Sequence, residues 1–110
     1  MDTLQQLNAT LIKRKLDDPS TSYVASLYQG GVNKIAQKVG EEATEVVIAA
    51  KDAAADAEQK PALVSEVADL WFHSLVLLSH LDLSADDVLQ ELQQRFGVSG
   101  HTEKANRPAG

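Results

Sequence analysis

The chain has 110 residues, 44% of them hydrophobic and 24% charged, enough for one globular core and too few for two. A net charge of −6 argues against a nucleic-acid surface, which would present a basic stripe, and the lack of cysteine excludes disulfide and thiol chemistry. Met1–Asp17 has no apolar core of the signal-peptide kind and the longest apolar run, Leu75–Leu78, is far too short for a bilayer, so a single cytoplasmic domain over 1–110 is expected, with no membrane partner.

Leu4, Leu7, Leu11 and Ile12 fall on one helical stripe and predict a first amphipathic helix from Thr3 to about Leu16. Lys13-Arg14-Lys15 sits in its last turn, where positive charge suits the helix dipole. Asp17-Asp18-Pro19-Ser20 breaks that helix, and a short one over Thr21–Tyr28, begun by a hydroxyl cap, stops at Gly30-Gly31. A second main helix is expected from about Val32 to Ala55, with Ile35, Val39, Ala43, Val46, Val47, Ala50 and Ala53 on one arc. The stretch 53–60 reads as a fraying end and polar loop, and Pro61 suits the first turn of the next helix.

The third helix, Ala62–Leu81, is apolar nearly all round and carries a single titratable stripe of Glu66, Asp69, His73 and His80 within an arc of about 60°. Such a helix is expected to be enclosed by others, with Trp71 and Phe72 in the core. Ser84 and Asp87 form a capping pair that opens a fourth helix through Val88, Leu89, Leu92 and Phe96, and Gly97 ends it. Residues 98–110 have no periodicity and read as a loose arm, from which Lys104 and Arg107 would close over an anionic ligand. No strand alternation survives, so the fold class is all-α: four main helices and a short one.

Two acidic clusters stand out, Glu41-Glu42-x-x-Glu45 on the second helix and Glu66-x-x-Asp69 on the third. Spacings of three place each pair of carboxylates on one side of its helix, a turn apart. If the two helices pack as an antiparallel hairpin, Glu42, Glu45, Glu66 and Asp69 converge on one cation. An oxygen-only donor set favours magnesium, with manganese as a substitute, over zinc. Magnesium shares its shell readily with a polyphosphate, which points to a pyrophosphate-bearing substrate. Glu41 projects further out, toward Lys34 and Asp52; Lys34, Lys38 and Lys51 either pair with the acids or hold substrate phosphates. His73, one turn past Asp69, is either a satisfied core residue or a substrate contact.

On these residues the chain resembles the MazG-like all-α nucleotide pyrophosphohydrolases, whose E-x-x-E and E-x-x-D signature is Glu42, Glu45, Glu66 and Asp69 here. Within them it is most similar to the phosphoribosyl-ATP pyrophosphohydrolase family, through residues 18–23 (DPSTSY), 34–45 (KIAQKVGEEATE), 68–73 (ADLWFH) and 99–104 (SGHTEK). Val24 and Trp71-Phe72 depart from the family's commoner Thr and Leu-Tyr. The resemblance implies a magnesium-dependent homodimer that hydrolyses phosphoribosyl-ATP to phosphoribosyl-AMP and pyrophosphate. In it Glu42, Glu45, Glu66 and Asp69 would hold the metal, Glu41 or Glu45 would activate water, and Lys34, Lys38, Lys51 and His73 would meet substrate. Dimerisation has a packing reason too, because a single chain has few helices with which to surround the third. The alternatives are a housecleaning pyrophosphatase of free (d)NTPs with the same metal chemistry, and a non-catalytic helical dimerisation module in which the acids are solvated ion pairs.

Overall fold

Capping and breaking residues set the elements, and a computed structural model, which describes residues 2–97, shows where each takes effect. Helix α1 spans Thr3–Arg14 and opens on a reciprocal cap: Asp2 accepts from the Gln5 amide at 2.8 Å, and the Gln5 side chain accepts from the Asp2 amide at 3.1 Å. It ends two residues before the expected Leu16, because the chain tightens into three-residue turns and Arg14 pairs with Asp17 at 2.8 Å. The side chain of Leu16 is left 93% exposed.

Helix α2 spans Tyr23–Ala55 and begins at the expected hydroxyl cap, where Ser22 Oγ accepts from the Ala25 amide at 3.2 Å. It is two helical limbs joined at Gly31, whose φ of 82° and ψ of −174° lie outside any helix. The expected boundary at Gly30-Gly31 is thus a sharp break inside one long helix, with no intervening loop. A single 3₁₀ turn at Ala57–Gln59, where a polar loop was expected, turns the chain back, its amide at Glu58 bonded to Asp56 Oδ1 at 3.0 Å. Helix α3 spans Lys60–His80 with Pro61 in its first turn. Helix α4 spans Ala85–Phe96 and has the expected cap, Asp87 Oδ2 accepting from the Ser84 amide at 2.9 Å.

The second limb of α2 and α3 lie side by side as the main packed pair, with α1 and α4 toward the end where α3 finishes. The core is there as well: Leu11, Leu27, Ile35, Leu75, Val76 and Ala85 are buried together, and Leu7, Tyr28, Phe72 and Leu78 pack on them. Among the described residues there is no strand, so the all-α expectation holds.

The expected enclosure of α3 does not hold within one chain: Val64 is 68% and Trp71 60% exposed. The reason is coverage, since α2 shields one side of α3 and α1 and α4 reach only its later turns. Over 57–80 the segment is also long and apolar enough to cross a bilayer by length and composition, which the short run Leu75–Leu78 did not suggest. Two carboxylates in its middle, Glu66 and Asp69, would each cost roughly 2.5–3.5 kcal/mol at a bilayer centre, and both face α2, so it is a helix of the protein core.

Gly31 carries a test of the kink. A Cβ there would meet nothing within 4 Å, so any cost of Gly31→Ala is conformational. The expected loss is about 1–3 kcal/mol of unfolding free energy, measured by urea denaturation.

Candidate metal centre

The hairpin brings the acidic faces of α2 and α3 together. Glu42, Glu66 and Asp69 each offer a carboxylate oxygen, and these oxygens all lie within 4.8 Å of one another. Glu42 and Glu66 are half-buried and Asp69 is exposed, so the cluster sits at the edge of the helix pair, open to solvent on one side. Glu45 is outside this closest set. It lines a shallow cleft with Ala49, Asp52, Gln59 and Glu66, close enough to act electrostatically on Glu66.

Like charge dominates the site. The Glu66 carboxyl is pushed above its ordinary value, first by loss of water and then by the charges of Asp69, Glu45 and Glu42. One cation offsets them: Lys38 Nζ lies 3.2 Å from Glu41 Oε2 and 3.7 Å from Glu42 Oε1. Its ammonium is favoured by the hydrogen bond to Glu41 and then by the nearby Tyr23 phenol, with the charges of Glu41 and Glu42 adding to these. A carboxylate set with no cysteine and, among the described residues, no free imidazole beside it fits a hard divalent cation, which would relieve the same repulsion.

Several expected site residues are placed differently. Glu41, expected to serve with Glu45 as a water activator, is held on its own helix by Gln37 at 3.0 Å and Lys38 at 3.2 Å; those bonds keep its carboxyl below the usual value and leave it out of the cluster. His73, expected as a substrate contact, is instead a buried, satisfied residue, 6% exposed: Nε2 meets the Tyr23 hydroxyl at 2.8 Å and Nδ1 the Asp69 carbonyl at 2.8 Å. Lys51 is exposed and stands nine positions past Glu42, about 13 Å along the helix axis, beside the Asp52 end of that cleft. Lys34 lies across Gly30 and helps hold down the Glu41 carboxyl, on the Lys38 side of the site. His80 stacks on Tyr28 with ring centroids 5.9 Å apart, away from the stripe it shares with Glu66 in projection. Lys104 and Arg107 lie outside the described residues.

Tyr23 is the residue sequence reasoning missed. Its signal was present in the breaker and cap just before it, but its partner is fifty positions away.

Residues 4–96 match the phosphoribosyl-ATP pyrophosphohydrolase family pattern. The chain belongs to the phosphoribosyl-ATP pyrophosphohydrolase family. Among its relatives is the phosphoribosyl-ATP pyrophosphatase of Hydrogenovibrio crunogenus, 61% identical over 106 residues, which covers 96% of this chain and 93% of that protein. The acidic cluster, Lys38 and the Tyr23–His73 pair all fall within the span matched to the phosphoribosyl-ATP pyrophosphohydrolases.

Removing charge from the cluster has a signed consequence. Because the Glu66 carboxyl is raised in the folded state, the fold holds that proton more tightly than the unfolded chain does; in metal-free protein its contribution is complete at low pH and is lost as pH rises through the raised value. Thermal melts in chelator should therefore show Glu66→Gln gaining on the wild type as pH increases from about 4 to 7. Magnesium at about 100 times its Kd should raise the wild-type melting temperature by on the order of 10 °C and leave E66Q nearly unmoved.

Proposed function

We propose that this chain hydrolyses phosphoribosyl-ATP to phosphoribosyl-AMP and pyrophosphate, the second step of histidine biosynthesis, in the cytoplasm. The observation that carries the reading is the convergence of Glu42, Glu66 and Asp69 in a chain 61% identical to a phosphoribosyl-ATP pyrophosphatase. Those products require the anhydride between the α and β phosphorus atoms to be cut, with a water oxygen entering one product and its proton leaving to a base.

Glu42, Glu66 and Asp69 would hold magnesium, and Glu45, beside Glu66, would complete or support the set. When bound, the cation neutralises triphosphate charge and stabilises the charge that develops on the attacked phosphoryl group. The chain's own groups do the rest. Lys38, already placed between Glu41 and Glu42, and Lys34 on the same side neutralise phosphate oxygens that would otherwise be repelled by the acids. Glu45 is the better of the two expected bases, because it borders the cluster whereas both Glu41 oxygens are engaged by Gln37 and Lys38.

The reading also includes a homodimer. Val64 and Trp71 on α3 and Val47 and Ile48 on α2 are more than half exposed in one chain, and a second copy would cover such surfaces. Light scattering should give twice the 11.9 kDa chain mass, and a dilute, fully active monomer would refute the dimer.

Turnover of authentic phosphoribosyl-ATP, compared with dCTP and dUTP, tests the reaction: phosphoribosyl-ATP should be the preferred substrate, with pyrophosphate as product. Glu42→Gln and Asp69→Asn should each reduce kcat/KM by more than the roughly 10- to 100-fold typical of changes behind a metal ligand, with the helical circular dichroism retained. Full turnover in both variants would refute the assignment.

A further inference from the structure

The segment 18–23 carries part of the family resemblance, yet nothing in the reaction as described uses it. Its structure is a rigid device for placing one side chain. Asp18 Oδ1 accepts from the Ser20 amide at 2.9 Å, its carbonyl accepts from the amides of Thr21 and Ser22 at 3.1 and 3.0 Å, and Ser22 then caps α2 through the Ala25 amide. The first residue of the helix is Tyr23, with 54% of its surface exposed and its hydroxyl on His73.

The direction of that hydrogen bond follows from its neighbour. The Asp69 carbonyl can only accept, so His73 Nδ1 carries the proton that bonds it. In the neutral ring Nε2 is then a bare acceptor, and the Tyr23 hydroxyl must donate to it. The outward side of the phenol oxygen is left with lone pairs only. Among the described residues no hydrogen bond runs into that oxygen.

Position supplies the rest. His73 is one helical turn beyond Asp69 and holds the Tyr23 hydroxyl at 2.8 Å, and Tyr23 interacts electrostatically with Lys38. Lys38 in turn touches Glu42, so Tyr23 borders the metal centre on the side of the phosphate-neutralising lysines. An oxygen that can only accept repels unprotonated phosphate oxygens and takes a hydrogen-bond donor of the substrate instead. In a phosphoribosyl nucleotide the abundant neutral donors are sugar hydroxyls.

We infer that Tyr23 is a substrate-binding residue that accepts a hydrogen bond from a sugar hydroxyl of phosphoribosyl-ATP, its own proton being held by His73. The inference rests on the proposed reaction and assigns Tyr23 to the sugar, leaving the phosphates to the lysines and the acids.

The test is steady-state kinetics on the intact protein with phosphoribosyl-ATP. Tyr23→Phe should raise KM by roughly 3- to 10-fold with kcat within about 2-fold, and should leave the magnesium-induced rise in melting temperature unchanged. His73→Gln, whose amide oxygen can take the Tyr23 proton, should keep a KM near the wild-type value even if the protein melts lower. A wild-type KM in Y23F overturns the inference, as does an equal KM rise in H73Q, which would mark a purely structural role. Loss of the magnesium shift in Y23F overturns it too, because Tyr23 would then be supporting the acids. If the wild type does not turn over phosphoribosyl-ATP at all, it is the reaction that fails. The Ki of ATP as a competitor then identifies the sugar. An increase in Y23F matching the KM change places the contact on the adenosine ribose, an unchanged Ki places it on the added ribosyl group, and either upholds the inference.

Discussion

Three carboxylates of like sign, gathered from two helices with one lysine among them, are the constraint around which this hairpin is arranged. A sequence selected for stability alone would not put Glu42, Glu66 and Asp69 within 4.8 Å of each other, since loss of water and the charges of Asp69, Glu45 and Glu42 all disfavour the Glu66 carboxylate. The arrangement persists because the register is fixed elsewhere. The turn at Ala57–Gln59 sets α3 antiparallel to α2, and the bond between Tyr23 and His73 ties the two together at the other end. The acids are carried to one another by a packing scheme that does not depend on them.

That scheme is anchored at the far end of α3. Leu11, Leu27, Ile35 and Val76 are fully enclosed and come from α1, both limbs of α2, and α3. The break at Gly31 lies between Leu27 and Ile35, so the two limbs enter the one core in different directions. Lys15 closes the junction. Its ammonium donates to the Ser79 carbonyl at 2.7 Å and lies 5.6 Å over the Tyr28 ring, while the Tyr28 hydroxyl donates to the Leu11 carbonyl at 3.1 Å. The basic run that suits the dipole of its own helix therefore also serves the C-terminus of another.

What could be read from the sequence was local. Ser22, Ser84 with Asp87, Pro61 and Gly31 act through bonds or dihedral limits a few residues long; the first four mark the helix starts they were expected to mark, and Gly31 breaks a helix that continues past it. The acidic pairs were legible because a spacing of three has one meaning on a helix. What was not legible depends on partners far along the chain. His73 carries no mark that says whether its ring faces a substrate or Tyr23, and Glu41 and Glu42 are neighbours whose different fates follow from where Lys38 and Gln37 happen to reach. Nor does periodicity say which molecule covers an apolar face. It marked α3 as a helix to be enclosed, and one chain encloses only part of it.

The uncovered part has a definite direction. At about 100° per residue, Val64 and Trp71 project roughly 150° from Glu66 and Asp69, so the exposed apolar stripe is the back of α3 and the acids are its front. A lipid environment would satisfy the back, but it would also have to accept α2, which lies along the front carrying Lys34, Lys38, Glu41, Glu42, Glu45, Lys51 and Asp52. A protein surface satisfies both demands at once, because it can cover the apolar back without taking water from the charged front. Val64 and Trp71 on one side and Glu66 and Asp69 on the other therefore occupy opposite faces of one element, and covering the first pair leaves the acids open to solvent.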